Sequence, residues 1–168
     1  MLQRPAVMLI ATLSLLLGAC ATTGPDFHTD GVADLAPRAA ASAGDGAVGE
    51  RVIWGGRIIA VNPLEQGTQL ELLAYPLGRN QQPEPDRSSQ GRFLVIHPEY
   101  LEPADWSPDR LVTVTGTLRS IRSGNIGDAE YRYPEVHADD LYLWPKPASS
   151  PGGTSPRVNF GFGVILSR

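Results

Sequence analysis

One cysteine carries the most distinctive reactive group in this chain. Cys20 is the only Cys among 168 residues, and it directly follows Leu17-Gly18-Ala19 at the end of a mainly apolar run that begins at Ala6. A thiol placed behind small residues, at the end of a short hydrophobic stretch, suits transfer of a diacylglyceryl group followed by cleavage between Ala19 and Cys20. With that sulfur occupied by lipid, no thiol remains for a disulfide or for nucleophilic catalysis. The three histidines, His28, His97 and His137, form no i, i+4 pair and have no Cys partner, so each reads as a surface or packing residue and no metal is expected. Asp139 and Asp140 are neighbours on an expected strand, where successive side chains point to opposite faces, so the two carboxylates do not converge. There is no G-x-S-x-G elbow and no Gly-rich phosphate loop. The chain therefore reads as non-enzymatic and free of cofactors, although the separated carboxylate pair of a glycoside hydrolase leaves no local signature and stays open.

Aromatic residues offer a second kind of chemistry. Trp54, Tyr75, Trp106, Tyr131 and Tyr133 are the candidate ligand face, with Trp144 nearby in the last strand. At strand spacing such residues are more often core or partial core.

The elements that must hold these groups follow from composition. Arg4 ahead of the apolar run completes the pattern of a bacterial lipoprotein signal over residues 1–19, a run shorter than the roughly 20 residues needed to span a bilayer as a helix. Each buried methylene contributes about 0.8 kcal/mol, so the several acyl chains of this class give lasting attachment where one chain gives only reversible binding. Ala21 follows the Cys; in enteric bacteria an Asp at that position favours the inner membrane, so Ala21 points to the outer one. Residues 20–49 are rich in Ala, Gly, Ser and Asp with few large apolar residues, and are expected to be a flexible tether that holds a folded domain off the membrane. An Ala-rich helix competes with that reading, and Gly44, Gly46 and Gly49 argue against extending it.

Residues 50–145 read as an all-β domain. Strands are expected at Arg51 to Val61, Thr68 to Tyr75, Arg92 to Ile96, Leu111 to Leu118 and about Glu130 to Trp144, bounded by Gly, Pro, Asn and Asp. Gly55-Gly56 suggests a bulge or tight bend, and Pro134 an edge position or a corner between two short strands. Thr113, Thr115 and Thr117 are expected on the wet face of the fourth strand. A helical turn is expected at Glu99 to Glu102, and turn chemistry at Ser123 to Asp128. Five short strands in this order imply a small OB-like barrel, with an open sandwich as the rival. Residues 146–168 form a Pro/Gly-rich tail in which Phe160 and Phe162 sit within a further candidate edge strand.

The whole chain carries 14 basic and 18 acidic residues, a net charge of −4, and Arg4 lies in the signal. The remaining positive charge is scattered among acids, which argues against a nucleic-acid partner.

In order and spacing, several segments together resemble the Slp family of Gram-negative outer-membrane lipoproteins. They are Val52-Ile53-Trp54-Gly55-Gly56-Arg57-Ile58, Leu70-Glu71 with Tyr75-Pro76-Leu77, Gly91-Arg92-Phe93-Leu94, Leu101-Glu102-Pro103, Val112-Thr113-Val114-Thr115-Gly116, and Tyr131-Arg132-Tyr133-Pro134 with Leu143-Trp144. Where relatives tend to read Gly-Phe-Leu-Asp-Pro, this chain has Glu99-Tyr100-Leu101-Glu102-Pro103. The resemblance implies a lipid-anchored outer-membrane protein with a role in the envelope under starvation or acid stress, and it implies no catalytic residues. The expected partners are membrane lipid, through acylated Cys20, and other envelope components, with the domain facing the periplasm. The alternatives are a periplasmic ligand-binding module using the aromatic face, and a hydrolase of envelope polymers.

Overall fold

A computed structural model describes residues 24–146; Ala19, Cys20, Phe160 and Phe162 lie outside them. Five strands, β1 (Arg51–Pro63), β2 (Thr68–Tyr75), β3 (Arg92–His97), β4 (Leu111–Ile126) and β5 (Ala129–Leu143), close into one barrel in the order β1-β2-β3-β5-β4. This is the five-stranded OB-like barrel expected from the sequence. All neighbours are antiparallel except β3 and β5, whose parallel pairing from Leu94 opposite Glu135 to Ile96 opposite His137 completes the ring.

Alternation puts the core inside. Val52, Trp54 and Ile58 of β1, Leu70, Leu72 and Ala74 of β2, Phe93 and Val95 of β3, Val112, Val114 and Leu118 of β4, and Val136 of β5 form one buried cluster. Trp54 meets Phe93 edge-on, with ring centroids 5.2 Å apart and planes at 78°, the geometry that aromatic quadrupoles favour.

β1 is long enough to serve two neighbours. Its first half pairs with β4 and its second with β2, and Gly55, Gly56 and Arg57 pair with both. The register shift expected at Gly55-Gly56 instead falls between Ile58 and Ala60. The glycines answer a different need, which is close approach: a methyl on Gly56 would strike the carbonyl oxygen of Leu73.

Three further expectations are corrected. Thr113 is fully buried and Thr115 nearly so, because the connection between β2 and β3 and the Trp144 side chain cover the outer face that was expected to be wet. The helical turn at Glu99 to Glu102 does not form. Its backbone is committed elsewhere: the Thr68 hydroxyl donates to the Glu99 carbonyl at 3.1 Å and accepts from the Leu101 N–H at 2.9 Å, and the chain turns at Glu102 to Trp106 instead. Pro134 takes the edge position of the two that were expected, with β5 unbroken through it and a register shift beside it between Leu118 and Ser120 of β4. It pairs with Ile121 of β4 just before β5 gains its second neighbour, β3, at Glu135, so its missing N–H leaves no inter-strand bond unmade on the open side. β4 and β5 run on to a two-residue connection, Gly127-Asp128, with Gly127 at a φ of 59°, so the turn is tighter than the segment Ser123 to Asp128 suggested.

The largest correction concerns the expected tether. Residues 24–49 are a strap packed on the barrel. Val32 bridges Arg51, the Ala33 N–H donates to the Arg51 carbonyl at 2.8 Å, and a short helix, α1 (Pro37–Ala43), starts with Pro37 in its first turn and ends at Gly44, whose φ is 64°. Ala40 and Ala47 are buried in the same cluster as the barrel interior, and Trp54 Nε1 donates to the Leu35 carbonyl at 2.6 Å. Small residues form this helix because only small side chains allow its backbone to come so close to the barrel. Their low hydrophobicity, which reads as a flexible linker, is a packing requirement.

Three substitutions probe these contacts. Gly56→Ala forces a Cβ onto the β2 backbone and should cost about 1–3 kcal/mol in denaturant unfolding, whereas Gly46→Ala, with open space around it, should be close to neutral. Trp54→Phe leaves the Leu35 carbonyl without its donor; it should cost about 1–3 kcal/mol and speed amide exchange at Ala40.

Candidate functional site

The most elaborate surface is built by the connection between β2 and β3, residues 76–91, which folds back over the outer face of β1 and β4. Gly55 makes room for it, since a methyl there would lie 2.6 Å from Leu77 Cδ2 and 2.7 Å from Pro83 Cγ. The loop holds its own shape through a Leu77–Pro83 bridge, the Gly78 N–H donating to the Gln82 carbonyl, and the Glu84 N–H donating to the Pro76 carbonyl. Two further bonds fix it in place. The Thr113 hydroxyl donates to the Gln81 carbonyl at 2.6 Å while accepting from Trp144 Nε1 at 2.9 Å, and Gln81 Nε2 donates to the Phe27 carbonyl at 3.1 Å, which joins loop and strap.

At the edge of this loop lies a cleft of about 350 Å³ between Arg57, Asp86, Asp109, Arg110, Trp144 and Lys146. Register brings its cations together: Arg57 pairs with Leu111, and the next β1 residue, Ile58, donates its N–H to the Arg110 carbonyl. Arg110 spends its two terminal nitrogens on the carbonyls of Asp105 and Trp144, each at 2.8 Å, and Arg57 Nη1 sits 3.7 Å from Asp109 Oδ1. The Nε of both guanidinium groups is buried without an acceptor. Buried charged donors call for a partner, and an anionic oxygen is the chemistry that fits. A larger cleft of about 710 Å³ adjoins it and adds Arg79, Glu84 and Arg87.

Two ion-pair clusters decorate other parts of the wall. Arg92 Nη1 meets Glu71 Oε1 at 2.8 Å; the Tyr133 hydroxyl lies 3.5 Å from the same oxygen, and the Tyr131 hydroxyl accepts from the Arg92 N–H at 2.8 Å. The bond to Glu71 raises the Arg92 pKa, and burial raises that of the Tyr133 phenol, with the Glu71 charge adding to it. On β4 and β5, the nearly buried Glu135 accepts from Arg122 Nη1 at 2.8 Å and from the Ser120 hydroxyl at 3.2 Å, with His137 Nε2 3.7 Å away. In each cluster a guanidinium lies against a carboxylate, so the two charges offset one another.

The five aromatics read as a ligand face do not share one. Trp54 is inside the barrel against Phe93, Trp106 packs on the core from the β3–β4 connection, and Tyr75 stands on β2 opposite Gly55. Only Tyr131 and Tyr133 meet, edge-on with centroids 4.7 Å apart, and Tyr133 is nearly buried. A strand alternates its faces, so positions that look alike in sequence are split between core and wall. His28, His97 and His137 remain dispersed, and among the described residues no group of three potential metal ligands comes together. Arg57, Arg110 and Lys146 carry no local signal; only the pairing of β1 with β4 and the course of the chain after β5 unite them.

Comparison with known proteins extends this picture. Residues 17–160 match the family described as outer membrane lipoprotein Slp family. The chain is 28% identical over 138 residues to the outer membrane protein Slp of Escherichia coli, covering 81% of this chain and 73% of that protein. It is 29% identical over 97 residues to the uncharacterized lipoprotein YeaY of the same organism, 58% of this chain and 50% of that one. An uncharacterized protein of Haemophilus influenzae is 34% identical over 91 residues, 54% of this chain and 49% of its own length. The chain thus spans about half the length of two of these relatives.

Tyr133 provides a pH test of the wall cluster. Its folded pKa lies above the ordinary 10.0, so its contribution to stability is complete below that value and is lost as pH rises through the folded one. Unfolding free energy measured from pH 8 to 11.5 should fall at the alkaline end, and Tyr133→Phe should make that fall shallower.

Proposed function

The chain belongs to the Slp family of outer membrane lipoproteins, and on that premise we propose that it is anchored through an acylated Cys20 with its barrel on the periplasmic side. The observation that carries the anchor is the placement of the one cysteine directly behind Leu17-Gly18-Ala19, at the end of the apolar run. Three acyl chains at that sulfur and the new amino terminus supply the lasting membrane affinity that one chain does not. Among the described residues no helix is long and apolar enough to cross a membrane.

The barrel's role is structural and stress-related, without a reaction of its own. Glu71 and Glu135 are paired with Arg92 and Arg122 on the wall, and Trp54 and Trp106 are spent on packing, which supports a structural reading of the barrel. Contacts with other envelope components belong to the same proposal.

Cys20→Ser tests the anchor. The variant should move from the outer-membrane fraction to the soluble or inner-membrane fraction as a chain of unacylated mass, while the wild type shows the mass of a chain that begins at acylated Cys20. A variant that fractionates and weighs like the wild type overturns the anchor.

A further inference from the structure

The described residues begin four positions after Cys20. Gly24 is against the loop, where a methyl would lie 3.3 Å from the Asn80 carbonyl oxygen and 3.3 Å from Trp144 Cη2. Three residues later Phe27 is buried, its carbonyl held by Gln81 Nε2. Only Ala21, Thr22 and Thr23 separate Gly24 from Cys20, and four residue steps reach at most about 14 Å when fully extended. A lipid-bound Cys20 therefore cannot let the domain stand away from the bilayer. Whichever surface surrounds Gly24 is kept next to the headgroups.

That surface is the loop face. Exposed Arg79 and Asn80 stand beside Gly24, and Trp144, Pro145 and exposed Lys146 lie on the same side, next to the cleft of Arg57 and Arg110 with its two unpartnered Nε donors. Asp26, Asp86 and Asp109 are there too, so the face is mixed in charge, but its unpartnered buried donors are guanidinium N–H groups. Guanidinium forks match phosphate oxygens in geometry and in charge.

We propose that the face formed by Gly24, Arg79, Asn80 and Lys146 lies on the membrane, and that the cleft of Arg57, Arg110 and Lys146 takes a headgroup phosphate of the leaflet that holds the acyl chains. This rests on the acylation of Cys20 and goes beyond it, because the orientation comes from the short span between Cys20 and Gly24 and the phosphate contact from the cleft. The β1–β2 hairpin, by contrast, is remote. Thr68 is seven residues along β2 from Tyr75, about 23 Å at 3.3 Å per residue, so the hairpin tip at Gln66 should stand in water.

The test uses the full-length acylated protein in vesicles of phosphatidylethanolamine and phosphatidylglycerol. Acylation blocks the only native thiol, so Asn80→Cys or Gln66→Cys provides a single site for a spin label, read by a paramagnetic chelate carried on lipid headgroups. The label at 80 should be relaxed several-fold more than the label at 66. In a background of Arg57→Gln with Lys146→Gln, or of the two exposed changes Arg79→Gln with Lys146→Gln, that contrast should shrink at least twofold. Equal relaxation at both sites, with the acyl mass confirmed, overturns the orientation while leaving the anchor intact. Contrast unchanged in both double variants overturns the phosphate cleft, and a chain that proves unacylated by mass overturns anchor and orientation together.

Discussion

Gly55 and Gly56 are the constraint on which the rest of the molecule depends. At these two positions β1 pairs on one side with β2 and on the other with β4, so three strands share a few ångströms. The missing side chain of Gly56 lets the β2 backbone come close, and that of Gly55 lets Leu77 and Pro83 lie flat on the outside. Barrel closure within and loop attachment without are thus two results of the same absence of atoms. The loop in turn covers Thr113, which orients Trp144, which closes the cleft with Arg110.

Much of the barrel was legible because its strands are half-buried and alternate. Thr68 to Tyr75 has the expected bounds, and Val112, Val114 and Leu118 face inward as their spacing required. What misled was composition read without partners. Ala40 and Ala47 look like linker residues until the barrel end that they close is known, and Thr113 looks solvated until a loop thirty residues earlier in the chain is laid over it. The helical turn at Glu99 failed for the same reason, since Thr68 claims the backbone groups that such a turn would use.

The candidate site was less legible than the fold. Cys20 stands out locally because its placement directly behind Leu17-Gly18-Ala19 is a feature of adjacent residues. Arg57, Arg110 and Lys146 are read only after folding, and nothing in their immediate neighbours marks them. The aromatic set showed the opposite hazard: residues rich in contact area attract a binding interpretation, yet Trp54 and Trp106 are consumed by the core.

The parallel pairing of β3 with β5 has a bearing on how the protein is made. β5 is the last strand among the described residues, and it alone joins β3 to β4, so the barrel stays open until residues 129–143 are in place. Until then β3 and β4 each carry an unpaired edge, and such edges pair readily with other chains. The strap adds to the delay, because α1 packs against β3 and β5 and therefore docks on a barrel that the far end of the chain must complete. The order of pairing thus makes the barrel's closure depend on a segment far along the chain from the strand it joins.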